Sequence, residues 1–376
     1  MRKAFKYRLY PNRTQTEALD VMLGTHRRLY NLALRDRRDS YEGEGRSVSY
    51  GEQSARYKES RNVPPRFCAL NFSSAQATLR RLDKAFKAFF RRVKAGQCPV
   101  YPRFKDEDRF RTVEFPSYGD GCKLKDNGRL YLQRIGHIKV KLHRAIEATI
   151  KTVSVKKSCG KWYAIISCDL GDEPEPVEGG LEIGIDLGLK SFLVTSDGSS
   201  VDPPRYYRKA QKKLKRAQRA LTRKKKGSSR RRKVRERVAR LHETTANQRR
   251  DFHHKEARKL VDAHGLIAHE ALNVKGLART RLATSVHDAG WAQFVNILVP
   301  KAEEAGVRVV AVNPANTTQA CSSCGAMPET KKTLSDRLHN CSCGYVADRD
   351  VNAAENILAL GRSAQAPTQR VAASVA

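Results

Sequence analysis

Residues 181–198 read LEIGIDLGLKSFLVTSDG. Leu181, Ile183 and Ile185 alternate with small or polar residues, the period-two pattern of a strand with one buried face. Asp186 falls where that strand ends, Gly188 follows, and Phe192 to Val194 return as a second short apolar run before an Asp197-Gly198 turn. A carboxylate at the exposed end of a buried strand, with a hairpin beside it, can hold a divalent ion. A lone Asp after a strand is equally a common turn former.

Two later residues change that balance. Gly265 to Glu270 form another short apolar run ending in a carboxylate, and Asp350 opens DVNAAENILAL, where Ala354, Ile357 and Leu358 mark the buried stripe of a helix. This pattern places Asp350 at the helix N-cap. Strand end, strand end, helix start is an order that suits a ribonuclease H-like sheet closed by a helix. Three such carboxylates repel and raise one another's pKa values. Two Mg²⁺ ions about 4 Å apart would offset the repulsion and activate water for in-line attack on a phosphodiester.

The charge narrows the partner. Of 376 residues, 73 are Lys or Arg and 39 are Asp or Glu, a net +34, so the surface calls for a polyanion. No apolar run approaches the ~20 residues that span a bilayer, and the basic opening MRKAFKYRLYP lacks an apolar signal core. Basic helices with bulky lipid-facing sides are not seen outside the core stripes, so nucleic acid is expected, no membrane, and a cytoplasmic location. Five of the nine cysteines (Cys68, Cys98, Cys122, Cys159, Cys168) stand singly and read as small core residues. The rest form Cys321-x-x-Cys324 and Cys341-x-Cys343, each followed by Gly, two thiolate pairs suited to a structural Zn²⁺. The one-residue gap in the second pair demands a tighter knuckle.

The N-terminal strand has Phe5, Tyr7 and Leu9 on one side and Lys6 and Arg8 on the other. Thr14-x-x-Glu17 reads as a capping box before a helix carrying Leu19, Met22, Leu23, Tyr30 and Leu34; His26, Arg27 and Arg28 read as its solvated face. Residues 36–65 carry no clear pattern. A second helix runs from a Ser73/Ser74 cap through Leu79, Leu82, Phe86, Phe89 and Val93 to Gly96, with Arg80, Arg81 and Lys84 on its basic face. Short strands between about 110 and 172 suggest a small barrel completed by the N-terminal strand. The acidic Pro/Gly-rich stretch 172–180 is a linker. Beyond it, a seam of Tyr207, Ala210, Leu214, Ala217 and Leu221, a loop at Lys224–Lys233 and a returning seam of Val234, Val238 and Leu241 predict a helical hairpin with a basic tip. Trp291 to Ala305 reads as a helix and Arg308 to Val312 as a strand, so the cysteine module is an insertion before the last helix.

The segments KYRLYPNRTQ, YPRFK, GIDLGLKSF, RKKKGSSRRR, HEALNVKGL, NTTQACSSCG and CGYVADRDVNAAENI together resemble the TnpB family of insertion-sequence nucleases, relatives of type V CRISPR effectors. The resemblance covers nearly the whole chain, and the last four segments in combination are highly specific. It implies a guide-RNA-directed DNA endonuclease with a RuvC-type site. Asp186 would be the first carboxylate, Glu270 the second and Asp350 the third, with Asp348 a rival for the third place. Cys321, Cys324, Cys341 and Cys343 would hold the zinc of a ribbon. The implied fold is α/β and α+β, multidomain. A wedge β-barrel takes residues 1–12 and 98–175, and a helical recognition lobe is inserted at 13–97. The RuvC-like nuclease domain takes 176–314, with the basic hairpin at about 205–260. A zinc ribbon at 315–347, a closing helix at 348–361 and a disordered tail at 362–376 complete it. The partners would be a guide RNA derived from the transposon end, gripped by one protein monomer, and double-stranded target DNA beside a short transposon-adjacent motif. Candidate contacts are Lys6, Arg8, Arg80, Arg81, Lys84, Arg103, Lys224, Lys225, Lys226, Arg230, Arg231 and Arg232. Two other readings compete: a guide-independent transposase using the same triad, and an RNA-guided DNA-binding repressor that does not cut. The repressor should have lost a carboxylate, and none is missing.

Overall fold

A computed structural model describes residues 1–60, 67, 69–172, 174–177, 179–333 and 335–364. It divides into two units, Met1–Asp172 and Glu173–Ala376. Cys68 and positions 365–376 of the expected tail lie outside the described residues.

In the first unit, the alternation of Phe5, Tyr7 and Leu9 becomes β1 (Arg2–Tyr10), followed by helices α1 (Arg13–Glu44), α2 (Tyr50–Ser60) and α3 (Phe72–Lys94). Six strands follow: β2 (Thr112–Phe115), β3 (Cys122–Leu124), β4 (Arg129–Leu132), β5 (Gly136–Lys141), β6 (Thr149–Ser158) and β7 (Lys161–Asp169). They order as β2-β6-β7-β1-β5-β4-β3, every pair antiparallel. By hydrogen bonding, the expected barrel is a seven-stranded sheet with β1 at its centre and β2 and β3 at its edges. A register shift between Ile150 and Thr152 explains why Ile150 and Val153 break the period of two. One apolar core joins the sheet to the helices, from Tyr7, Leu9 and Trp162 to Leu19, Leu79 and Leu82.

Local details differ from expectation for physical reasons. The capping box of α1 is Asn12-x-x-Gln15, because the Asn12 side chain accepts from the Gln15 amide and Gln15 returns to the Asn12 amide. Asn71, accepting from the Ser74 amide at 2.9 Å, caps α3 in place of Ser73 or Ser74. Val93 is 49% exposed, so the apolar stripe of α3 ends near Phe86. The unpatterned stretch after residue 36 contains the end of α1 and all of α2, held by the buried Gln53 and Tyr57. His26 is not on a solvated face. It is fully buried, 2.9 Å from Thr78 Oγ1, and burial pushes its pKa down to about 3. Cys122 and Cys168 are core residues as expected, whereas Cys98 is exposed and Cys159 sits half-buried in the β6–β7 turn.

The second unit begins with β8 (Glu182–Asp186), β9 (Leu193–Thr195) and β10 (Ser200–Val201). Next come α4 (Tyr206–Thr222), α5 (Ser229–Ala263), β11 (Leu266–Glu270), α6 (Val274–Leu277), α7 (Ala283–Ala289), α8 (Trp291–Glu304) and β12 (Arg308–Val312). A small hairpin, β13 (Leu338–Asn340) and β14 (Val346–Asp348), precedes α9 (Arg349–Ser363). The five-stranded sheet orders as β10-β9-β8-β11-β12, with β8, β11 and β12 mutually parallel. Ile183, Ile185 and Ile267 face one way, against Leu260 of α5 and Phe294 and Leu298 of α8. Leu266, Ala268, Val310 and Val312 face the other way, against Ile357 of α9. The basic hairpin has a shorter loop than expected, because Ser228 caps α5 and brings Arg230, Arg231 and Arg232 into the helix. The last helix continues through Arg362 and Ser363, which the tail was expected to include.

Gly184 lets α9 seat directly on β8. A Cβ there would lie 2.0 Å from the Ala354 carbonyl oxygen and 2.8 Å from the Leu358 nitrogen. At the far end of the helix, a Cβ on Gly361 would meet the Ala268 Cβ at 2.5 Å. Gly184→Ala should therefore lift α9 and destabilise this unit by about 1–3 kcal/mol in denaturant unfolding. Unchanged stability would contradict this packing.

Candidate catalytic and metal centres

Parity along the strands decides where the carboxylates go. Asp186 shares its face of β8 with Gly184, which touches α9. Glu270 shares its face of β11 with Leu266 and Ala268, which pack on α9's core. The parallel register pairs His269 with Ile185, so one step further sets Glu270 beside Asp186. Asp350 stands in the first turn of α9, over the same end of the sheet. It is not the N-cap. That role belongs to Asp348, whose Oδ1 accepts the Asp350 amide at 2.8 Å. The cap occupies Asp348 and leaves the Asp350 carboxylate to the cluster.

Electrostatics tie the three together. Burial first, then the charges of Glu270 and Asp350, push Asp186 up to about 7, opposed by Arg349. Burial also raises Glu270, and the Thr317 hydroxyl, donating to its Oε1, works against that rise. Arg349 Nη2 lies 3.6 Å from Asp350 Oδ1. Hard carboxylate oxygens carrying unfavourable mutual charge suit Mg²⁺.

Among the described residues, Cys321, Cys324, Cys341 and Cys343 are the group of metal-binding side chains whose ligand atoms all lie within 4.8 Å of one another. Their sulfurs stand 3.8 Å (Cys321–Cys343) and 3.5 Å (Cys324–Cys341) apart. Zn–S bonds of about 2.3 Å in a tetrahedron imply sulfurs about 3.8 Å apart, so the set fits zinc. The short second pair still closes a knuckle: Gly344 at φ 89° donates its amide to the Cys341 carbonyl at 3.0 Å. The Cys343 amide, and after it the Cys324 thiol, hold Cys341 down at about 6. The module sits on α9 through polar side chains. Asn352 accepts the Ser322 amide and donates to the Ala320 carbonyl, and Asn356 donates to the Thr317 and Ala320 carbonyls.

Three comparisons bear on what this geometry belongs to. The family described as "Probable transposase" (OrfB_IS605) matches residues 165–281. A "Cas12f1-like, TNB domain" matches 291–357, and a "Helix-turn-helix domain" matches 1–46, here a strand and one helix. InsQ of Escherichia coli (strain K12), provisionally named an RNA-guided DNA endonuclease, is 32% identical over 96% of this chain and 92% of its own length. The chain belongs to the TnpB family. A Streptomyces pristinaespiralis protein with the same provisional name is 33% identical over 97% of this chain and 91% of its own. The solved mini-RNA-guided endonuclease CRISPR-Cas_phi3 shares the fold, with a TM-score of 0.51 over 98% of this chain and 93% of that one at 8% identity.

Of the basic residues expected on nucleic acid, most in this TnpB chain are exposed: Lys6, Arg80, Arg81, Lys84, Arg103, Lys224, Lys225, Lys226, Arg230 and Arg232. Four are also engaged within the protein: Lys6 Nζ lies 4.2 Å from the centre of the Tyr163 ring, and Arg81 donates to the Thr112 carbonyl at 3.3 Å and lies over the Phe110 ring. Arg231 Nη1 donates to the Leu221 and Lys224 carbonyls at 2.8 Å, capping the end of α4. Arg8 is half-buried over the Tyr10 and Tyr163 rings. Sequence reading missed Thr317 and Arg349. Both stand inside quoted motifs, NTTQ and RDVNAA, but only the folded chain reveals their contacts.

A cation entering this cluster must displace the proton that Asp186 holds below about pH 7. Mn²⁺ affinity of the nucleic-acid-free protein, followed by electron paramagnetic resonance, should therefore weaken as pH falls through 7. Affinity that stays constant from about pH 8 to about pH 6 would contradict the raised pKa of Asp186.

Proposed function

We propose that this chain is an RNA-guided DNA endonuclease of a bacterial transposable element, cutting target DNA beside a short transposon-adjacent motif. The observation that carries the reading is the approach of Asp186, Glu270 and Asp350 at one end of a sheet, in a chain 32% identical to InsQ over 96% of its length. The strand order, with a helix across it, supports reading the second unit as a ribonuclease H-like, RuvC-type nuclease. A guide RNA supplies sequence specificity by base pairing, and one protein monomer supplies the basic surfaces and the cutting site.

The division of labour follows from the residues. Asp186, Glu270 and Asp350 would hold two Mg²⁺ ions. Magnesium bound there would supply Lewis acidity and ease deprotonation of the water that attacks phosphorus. Asp186 is fixed by its strand and gives up its proton on cation uptake. Glu270 is oriented by Thr317, and Arg349 moderates the charge of Asp350. Cys321, Cys324, Cys341 and Cys343 hold Zn²⁺ and keep the inserted ribbon folded on α9. The exposed lysines and arginines of α3 and of the α4–α5 hairpin meet phosphates of the RNA and of double-stranded DNA, with affinity falling steeply as salt rises. Among the described residues, no helix is long and apolar enough to cross a membrane.

Asp186→Ala in the protein–RNA complex should abolish Mg²⁺-dependent cleavage of a guide-matched duplex while RNA and target binding persist. Undiminished cleavage would overturn the metal site. Strand transfer by RNA-free protein would favour the transposase reading instead.

A further inference from the structure

The three carboxylates differ in how firmly the chain holds them. Asp186 is short and fixed to the end of a strand paired on both sides. Glu270 has a longer side chain, with more rotamers to lose when it is ordered. Its restraint comes from 47 residues away: the Thr317 hydroxyl, on a side chain 2% exposed, donates to Glu270 Oε1. Thr317 lies four residues before Cys321, at the entry to the cysteine module. Its carbonyl is held by Asn356 of α9 at 2.9 Å, so the hydroxyl is presented from a fixed backbone.

The module reaches Asp350 as well. Arg349 Nη1 donates to the Thr333 carbonyl at 2.7 Å, in the loop between the two cysteine pairs, while Nη2 lies 3.6 Å from Asp350 Oδ1. The Arg349 amide donates to the Arg337 carbonyl of the same loop at 2.8 Å. Its Nε is buried without a hydrogen-bond partner, an arrangement that costs stability. A buried guanidinium left partly unsatisfied is poor design for packing alone. It makes sense as a strut between the loop and the carboxylate.

We propose that Thr317 and Arg349 are positioning residues through which the four-cysteine module orients Glu270 and Asp350 for divalent cation binding. The chemistry rests on the nuclease reading, and the geometry rests on the contacts above. The zinc ribbon is then part of the cation site's support, and its folding sets the affinity of a site to which it contributes no ligand.

The test compares the full-length protein with Thr317→Val, which removes the hydroxyl at nearly constant shape, Thr317→Ser, which keeps it, and Arg349→Lys, which keeps the charge but not the fork. Zinc per chain is measured by mass spectrometry, Mn²⁺ binding by electron paramagnetic resonance, and the Mg²⁺ dependence of cleavage in the protein–RNA complex. Thr317→Val and Arg349→Lys should retain their zinc and bind Mn²⁺ about 10- to 100-fold more weakly. Their cleavage should recover as Mg²⁺ is raised, and Thr317→Ser should behave as the parent. Mn²⁺ affinity within about twofold of the parent in both weakened variants would overturn the proposal, as would weakening that appears only together with loss of zinc. Should the parent cut no DNA under any guide, the nuclease reading fails, yet the Mn²⁺ comparison still decides the positioning role.

Discussion

Like charges brought together at the end of a buried sheet are costly, and here burial adds to the cost. Burial first, and then the charges of Glu270 and Asp350, let Asp186 hold its proton up to about pH 7. A fold seeking stability alone would not keep such a cluster, because an apolar or neutral residue at any of the three positions would relieve it. Either a proton on Asp186 or a bound cation relieves it. That constraint explains the close seat of α9 at Gly184, the cap taken by Asp348, and the hydroxyl and guanidinium trained on the other two acids.

The net charge of +34 answers a second requirement. A chain so basic repels itself unless a polyanion neutralises it. Several ion pairs among the described residues are exposed i,i+4 contacts, such as Arg38–Glu42 and Lys255–Asp251, which solvent screens. Those pairs do not neutralise α3 or the tip of the α4–α5 hairpin. A polyanion would, and its phosphodiester backbone is also the substrate that a carboxylate-held cation site would cut.

Much of this was legible in the sequence where local period and spacing carry it. The alternation at Ile183 and Ile185 fixes which face Asp186 takes, and the same parity applies to Glu270. The two cysteine pairs foretold the thiol cluster, even with the shortened second spacing. Misplaced features are those set by competition between neighbouring caps. Asn12 displaced Thr14, Asn71 displaced the serines, and Asp348 displaced Asp350, each because its side chain reaches an amide two or three residues on. His26 looked solvated because its neighbours are arginines, but α3 brings Thr78 and Ser74 against it. Thr317 and Arg349 were invisible for a related reason. Their partners arrive only when the inserted module folds back over the helix that follows it.

The account turns on whether the three acids share cations. The most direct measurement is a structure of the protein with guide RNA and target DNA in Mn²⁺, with the ions located by anomalous scattering. The account predicts two peaks about 4 Å apart, ligated by Asp186, Glu270 and Asp350. Ions bound elsewhere, or carboxylates left without any, would contradict it.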